Sequence, residues 1–192
     1  MPRHKAYDKQ EVLEKAMQVF WDHGYEATSV RLLEKEMGIN QFSIYSAFDN
    51  KKKLFVESLK KYRAYVKNNR FHPLLKEDAR LKDLKEFLNN IPRQIKSGET
   101  KRGCLVVNTT GEIGGKDPEI AKELKNYYNF IKEMLRKVLW NSVEAGEISE
   151  EADLEKYSNY LLGVMQSLSV GTKVLTEKQI NDIISMALIN IK

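Results

Sequence analysis

Residues 38–55 read GINQFSIYSAFDNKKKLF, and this stretch decides the fold that we expect for the chain. Gly38 can end one helix, and Asn40 can cap the next. Asp49 and Asn50 are turn formers, so that second helix is short, and either residue can cap a further helix. The stretch therefore predicts a turn, a short helix and another turn, followed by three lysines that open a longer helix.

Two more helices are predicted upstream. Apolar residues at helical spacing in residues 8–23 form one face of a helix, and Gly24 supplies its stop. Thr28 or Ser29 can cap a short second helix that ends at Gly38. A long helix, a short helix, a tight turn containing glycine and another short helix together form a helix-turn-helix unit.

The second helix of such a unit lies in the DNA major groove, with its N-terminal residues against base edges. Ile44 and Phe48 lie four residues apart and are predicted to face inward, which leaves the other side chains pointing outward. Gln41 can pair bidentately with adenine, and Phe42 and Ala47 can touch a thymine methyl group. This face is predicted to read DNA sequence.

Neighbouring residues are suited to the DNA backbone. Tyr45 offers a hydroxyl to a phosphate oxygen, a contact that fixes register without reading sequence. Lys51 stands at the start of the next helix, where free N–H groups and the helix dipole favour a phosphate. The net charge of +5 agrees with an anionic partner.

These residues also carry a family resemblance. The segment from residue 11 to 55, with FWDHGYEATS and a helix ending in IYSAFDNKKKL, resembles the DNA-binding domain of the TetR (tetracycline-repressor) family. The shared pattern is F-x-x-x-G-[YF]-x-x-[TS]-[ST], followed by G-[IV]-x-x-x-x-[IL]-Y. The resemblance implies that Thr28 and Tyr45 contact phosphates and that Lys51 is the phosphate anchor. It also implies that Gln41, Phe42 and Ser43 read bases, while Arg31 reaches from the second helix toward either a base or the DNA backbone.

Two positions depart from the family pattern. Glu34 stands where the family usually has a small alanine, so its carboxylate must face solvent, find a partner or change the helix crossing. Phe42 is bulkier than the residues common at its position, and it is either a sequence reader or only an exposed aromatic.

The rest of the chain is predicted to be helical as well, giving an all-α fold. Short breaks rich in Gly, Pro, Asp or Ser separate the predicted helices, as in an antiparallel bundle. These helices span residues 80–97 with a break near Pro92, 104–113, 118–145, 151–171 and 176–190. We expect a DNA-binding domain at residues 1–50 and an effector-binding and dimerisation domain at 51–192, linked by a helix from about 51 to 67.

The stretch RGCLVVNTTGE at residues 102–112 resembles a G-C-L-x-x-N segment found in one subgroup of these repressors. By resemblance, this half of the chain binds a small-molecule effector between its helices and forms the dimer. Aromatic and soft side chains at helical spacing suit such a pocket, although they also suit a plain core. The pocket candidates are Tyr62, Tyr65, Cys104, Asn108, Tyr127, Phe130, Met134 and Met165.

Cys104 has two possible roles. At a helix start, with Lys101 and Arg102 nearby, its thiolate can be stabilised for reaction with oxidants or electrophiles. The alternative is a small buried hydrophobic residue.

The last two helices present apolar stripes wider than one partner helix needs, with small residues interspersed. A four-helix contact between two copies fits this pattern, and a buried core in a monomer is the alternative. The residues expected at a homodimer interface are Leu161, Met165, Leu168, Ile180, Ile184, Ala187 and Leu188.

Composition restricts the other classes of protein. Apolar residues make up 42% and charged residues 31%, as in a folded protein, and no apolar run is long enough to span a bilayer. A single cysteine and scattered histidines predict neither a disulfide nor a metal site. With no signal-peptide pattern at the start, we expect a cytoplasmic protein without a membrane partner.

An enzyme is not expected, because no phosphate-binding glycine motif, no catalytic triad order and no cofactor motif occurs. The sequence instead predicts a transcriptional regulator that binds a palindromic double-stranded operator as a homodimer and is released by a small molecule. The alternative is a helical protein-interaction module without sequence-specific DNA binding.

Overall fold

The structure, a computed structural model, describes residues 7–97, 102–189 and 191, with the side chains of 94–97 excepted. Within these residues the chain is all-helical, as predicted, with nine α-helices and one 3-10 turn at His72–Leu75. The α-helices are α1 (Lys9–His23), α2 (Val30–Met37), α3 (Gln41–Phe48), α4 (Lys51–Asn69), α5 (Leu81–Ser97), α6 (Leu105–Ile113), α7 (Pro118–Glu144), α8 (Leu154–Gly171) and α9 (Glu177–Ile189).

Side-chain caps set the starts of the first four helices. Asp8, Ser29, Asn40 and Asn50 each accept a backbone N–H from the first turn that follows. Gly38 ends α2 in the left-handed conformation, at φ 72°. The four caps place α2 and α3 on either side of a short turn, which is the predicted helix-turn-helix unit.

Apolar packing fixes α1 to α4 as one body. Ile44 and Phe48 are buried, so α3 faces inward on the side that was predicted. Helix α1 packs along both α2 and α4. Phe20 of α1 meets Phe55 of α4 edge to face, with ring centroids 4.8 Å apart.

The other helices form a bundle that α4 joins. Helix α7 packs along α8, α4 packs on α7, and α9 lies on α5 and α8. Pro92 lies inside α5 and does not break it, although a break was predicted there. A proline removes one N–H donor from a helix, but α5 continues on both sides of Pro92. Across the described ranges, no helix is long and apolar enough to cross a membrane.

Candidate DNA-reading surface and effector cavity

Helix α3 presents a polar and aromatic face to solvent. Gln41 and Phe42 are exposed, and Phe42 is 83% accessible. Ser43 and Tyr45 are half-buried on the same helix, and Arg31 is exposed on α2. A large apolar ring exposed to that degree contributes little to the chain's own core, which leaves it available to a partner.

The contact that Glu34 makes in the structure accounts for its departure from the family pattern. Its carboxylate accepts the backbone N–H of Gln41, the first residue of α3, at 2.5 Å. A carboxylate at a helix N-terminus is stabilised by the helix dipole. Glu34 therefore fixes the angle of entry into α3 from within α2.

Thr28 does not occupy the predicted position at a phosphate. The residue is fully buried, and its hydroxyl donates to the carbonyl of Gly24 at 2.5 Å. Ser29, the next residue, is the one that caps α2. The predicted phosphate contact of Thr28 is therefore corrected: its side chain stabilises the turn between α1 and α2.

Lys51 lies half-buried at the start of α4. Its ammonium stands 4.4 Å from the centre of the Tyr25 ring, a cation–π contact. Burial lowers the pKa of Lys51 from its ordinary value. The ammonium predicted to anchor a phosphate therefore lies against the ring of Tyr25.

The next two lysines have acidic partners within the chain. The Lys52 ammonium lies 2.8 Å from a carboxylate oxygen of Glu119 and 3.3 Å from one of Asp117. Lys53 pairs with Asp49 at 2.5 Å. The hydrogen bond to Glu119 is the largest cause that raises the pKa of Lys52. Lys52 thus joins α4 to the start of α7.

A cavity of about 450 Å³ lies within the bundle, bounded by α4, the 3-10 turn, α5, α6, α7 and α8. Four of the eight predicted pocket residues line it. These four are Tyr62, Cys104, Tyr127 and Met165. A concave, mainly apolar space of this size is typical of a small-molecule site.

The other four predicted residues do not line the cavity. Tyr65 packs edge-on against Trp21, and Phe130 packs against Phe71. Asn108 donates to the carbonyl of Arg102, and Met134 is buried in the core. Helical spacing alone did not show which side of each helix faces the cavity.

Several lining residues were missed because they come from α5, the 3-10 turn and the end of α4. Among them are Phe71, Phe87 and Ile91, and the charged residues Arg70, Lys76, Asp83 and Glu86. Only tertiary packing brings these segments together. Tyr128 of α7 also lines the cavity, as the aromatic pattern beside Tyr127 indicated.

Three buried polar groups lie at the cavity wall. The Cys104 thiol donates to the Tyr127 hydroxyl at 3.4 Å, while the Tyr62 hydroxyl has no hydrogen-bond partner among the described residues. The rings of Tyr62 and Tyr127 are 6.1 Å apart. Burial raises the pKa of both phenols well above its ordinary value, so both are protonated donors at neutral pH.

The basic neighbours predicted for Cys104 are arranged differently. Arg102 faces α1, where its guanidinium lies 2.6 Å from a carboxylate oxygen of Asp22 and donates to Gln18. Lys101 lies outside the described residues. Cys104 is buried, and its backbone N–H donates to the Ser169 hydroxyl at 3.0 Å.

Both ends of α6 contact the DNA-binding region. At the N-terminal end, the Trp21 indole N–H donates to the carbonyl of Gly103 at 3.1 Å. At the C-terminal end, the Glu112 carboxylate accepts the backbone N–H groups of Tyr25 at 3.0 Å and Glu26 at 2.7 Å. Because Gly103 also lines the cavity, α6 connects the cavity wall with the turn before α2.

Most residues predicted at a dimer interface are buried inside the chain itself. These are Leu161, Leu168, Ile180, Ile184 and Ala187. Leu188 is half-buried, and Met165 lines the cavity. The prediction was wrong for the five buried residues because the apolar stripes of α8 and α9 face α5 and α7.

The open faces of α8 and α9 carry other apolar residues. Tyr160 and Val170 of α8 and Met186 and Ile189 of α9 are exposed, as is Val174 in the turn between the two helices. On α8, the exposed Gly163 and Ser167 lie on the face that Tyr160 and Val170 share. In the described ranges, no three His, Cys, Asp or Glu side chains converge as they would at a metal site.

Comparisons with known proteins agree with this geometry. Residues 12–57 match the family of bacterial regulatory proteins of the tetR family, and residues 81–187 match the tetracyclin repressor-like C-terminal domain. The HTH-type transcriptional repressor ComR of Escherichia coli is 27% identical over 172 residues, which cover 89% of this chain and 82% of ComR. YezE of Bacillus subtilis, an uncharacterised HTH-type transcriptional regulator, is 26% identical and covers 92% of both chains.

A solved structure shows the same fold bound to DNA. It is a cysteine mutant of the TetR family regulator CifR in complex with a 26-bp double-strand operator, with a TM-score of 0.84 and 26% identity. The match covers 99% of this chain and all of CifR. The two family matches cover parts of both halves of the chain, including the surface of α3 and the part of the cavity wall that α5 to α8 form. This chain therefore belongs to the TetR family of DNA-binding transcriptional regulators, which are not enzymes.

Proposed function

We propose that this regulator is a repressor that binds a palindromic operator as a homodimer and is released by a small molecule. The observation that supports it most is the connection of an exposed α3 face to the cavity of the bundle through α4 and α6. We propose that residues 1–50 bind DNA and residues 51–192 bind the effector and dimerise. Acting on chromosomal DNA, the protein would work in the cytoplasm.

The proposed DNA contacts follow from exposure. Gln41 and Phe42 are the base readers, with Ser43 beside them on α3. Arg31 reaches from α2 toward a base or the DNA backbone, and Tyr45 offers its hydroxyl to a phosphate oxygen. Lys51 is proposed as the phosphate anchor once its ammonium leaves the Tyr25 ring.

The proposed route from cavity to DNA uses two helices. Tyr62 of α4 lines the cavity, while the first turn of α4 lies against the DNA-binding region. Helix α6 lines the cavity at Cys104 and holds the turn before α2 through Glu112. An effector can release the operator only if it binds the DNA-incompetent arrangement more tightly than the competent one.

The proposed homodimer uses the open faces of α8 and α9. Tyr160 and Val170 flank Gly163 and Ser167 on one face of α8, and small residues permit a close approach of helices. Ile189 extends the apolar surface on α9. Helices α8 and α9 of each copy then form the dimer contact. This contact places the two α3 helices on the same side of the dimer.

Cys104 keeps two proposed roles. The RGCLVVNTTGE segment resembles a subgroup motif, and a reactive thiol at the cavity wall would respond to electrophiles. If that response exists, Cys104→Ser abolishes induction by electrophiles and leaves induction by unreactive ligands intact. If every inducing compound keeps its effect, Cys104 is a packing residue.

The first experiment is fluorescence anisotropy with DNA from beside the regulator's own gene, across a salt series. Sequence-specific binding should weaken with a log–log slope of about −0.9 per phosphate neutralised. Tyr45→Phe removes only the hydroxyl, and it should weaken specific and non-specific DNA alike. Sequence-indifferent binding, together with no enrichment from a random DNA pool, would favour the helical protein-interaction module instead.

A further inference from the structure

The cavity wall contains a hydrogen-bond donor with no acceptor. Tyr62 is 0% exposed, so water does not reach its hydroxyl, and this hydroxyl forms no well-aligned hydrogen bond with the Cys104 thiol and the Leu105 backbone that lie beside it. Neighbouring groups are paired: the Cys104 thiol donates to Tyr127, and the Tyr128 hydroxyl bonds the Thr110 hydroxyl at 2.8 Å. Buried hydroxyls in folded proteins are nearly always satisfied, so this donor calls for an explanation.

The chemistry of the wall indicates what would satisfy it. The four charged residues of the lining are Arg70, Lys76, Asp83 and Glu86, and their formal charges cancel. The remaining wall is largely aromatic and aliphatic, with phenol groups as donors. Such a wall suits an uncharged ligand that carries a hydrogen-bond acceptor.

We propose that the effector is a neutral, mainly aromatic molecule whose carbonyl oxygen accepts a hydrogen bond from the Tyr62 hydroxyl. This inference rests on the proposed effector-binding function and specifies its ligand. Aromatic rings of the ligand would pack beside Phe71, Phe87 and Tyr128.

The same hydroxyl connects binding to release. In the present arrangement the Tyr62 side chain is fully buried. A ligand oxygen can therefore accept a hydrogen bond from its hydroxyl only in a conformation in which the residues around Tyr62 have moved. Tyr62 belongs to α4, whose first turn contacts Tyr25 beside α2. A ligand that needs the shifted arrangement has the differential affinity that release requires.

The test uses benzophenone and diphenylmethane, which differ by a carbonyl in place of a methylene. Equilibrium dialysis should show that the wild-type protein binds benzophenone about three- to tenfold more tightly, as one net hydrogen bond provides. In Tyr62→Phe, which keeps the ring edge to face with Trp21 at 4.9 Å between centroids, the two probes should bind equally. Benzophenone, but not diphenylmethane, should also lower operator affinity in the wild type.

Tyr128→Phe is the matched control, because it removes a hydroxyl from the same cavity that already has a partner. It should keep the wild-type preference for benzophenone. An unchanged preference in Tyr62→Phe, or no binding of either probe, overturns the inference. Specific operator binding by the same preparations would then show that the regulator function stands, and its absence would reject that function as well.

Discussion

The DNA-reading surface and the effector cavity are built in opposite ways. The surface comes from neighbouring residues of one short helix, α3, whose outward side follows from two inward residues, Ile44 and Phe48. The cavity is assembled from six segments, with Tyr62 and Thr172 lining the same space. A local surface can be changed without changing the fold, whereas a cavity wall belongs to the core.

The largest effect is expected where the two regions meet. Trp21→Ala should lower the free energy of unfolding by about 3–5 kcal/mol, since a buried indole is removed. The side chain also loses its N–H bond to Gly103 and the Arg102 guanidinium stacked at 4.4 Å. Urea denaturation measures the loss.

Trp140→Ala is the control for that prediction. Its side chain is 57% exposed on α7, so the change should stay within about 0.5 kcal/mol. Equal losses in the two variants would show that Trp21 does not join the regions.

The next effect tests the DNA-reading surface alone. Gln41→Ala should weaken specific operator binding by about 1–3 kcal/mol, because a bidentate base contact is lost. Its free energy of unfolding should change by less than about 0.5 kcal/mol, since Gln41 is exposed. Asn89→Ala, exposed on α5, should leave both quantities as they are.

A smaller effect is expected at the C-terminal end of α6. Glu112→Ala leaves the N–H groups of Tyr25 and Glu26 without their carboxylate and should cost about 1–2 kcal/mol of stability. Operator affinity should fall with it, because these groups hold the turn before α2. Glu150→Ala, at an exposed site after α7, is the comparison. Normal operator affinity in Glu112→Ala would remove α6 from the proposed route.

The smallest effect concerns alkaline pH. The Tyr62 pKa is raised by burial, so above about pH 10 the unfolded chain releases a proton that the folded chain keeps. The stabilisation is complete below that pH and is lost as pH rises towards the folded pKa. Tyr62→Phe should therefore show a shallower decline in unfolding free energy, while Tyr160→Phe, with an exposed ring, should follow the wild type.

Local signals predicted the fold well. The caps at Ser29, Asn40 and Asn50 and the stop at Gly38 are where the sequence indicated. These features depend on residues within a few positions of each other, so they need no knowledge of the tertiary structure. Pro92 was misjudged because a helix held by its neighbours can tolerate a proline.

The cavity and the dimer face could be predicted only in part. Periodicity showed that Ile180 and Ile184 share a face of α9, but it could not show that α5 and α8 cover that face. Likewise, Phe130 and Tyr127 both belong to the aromatic pattern of α7, yet only Tyr127 reaches the cavity. Choosing between core, cavity and interface requires the packing of distant segments.

Gly103 has a consequence for how this regulator could acquire new inducers. It adopts φ +64°, and a Cβ there would lie 2.6 Å from the Lys173 side chain and 3.0 Å from the carbonyl oxygen of Ser169. Cys104 adopts φ −100° and Val107 belongs to α6, so neither of these wall residues needs a left-handed backbone. Variants selected for altered inducer range should therefore change more readily at those two positions than at Gly103, which should be retained.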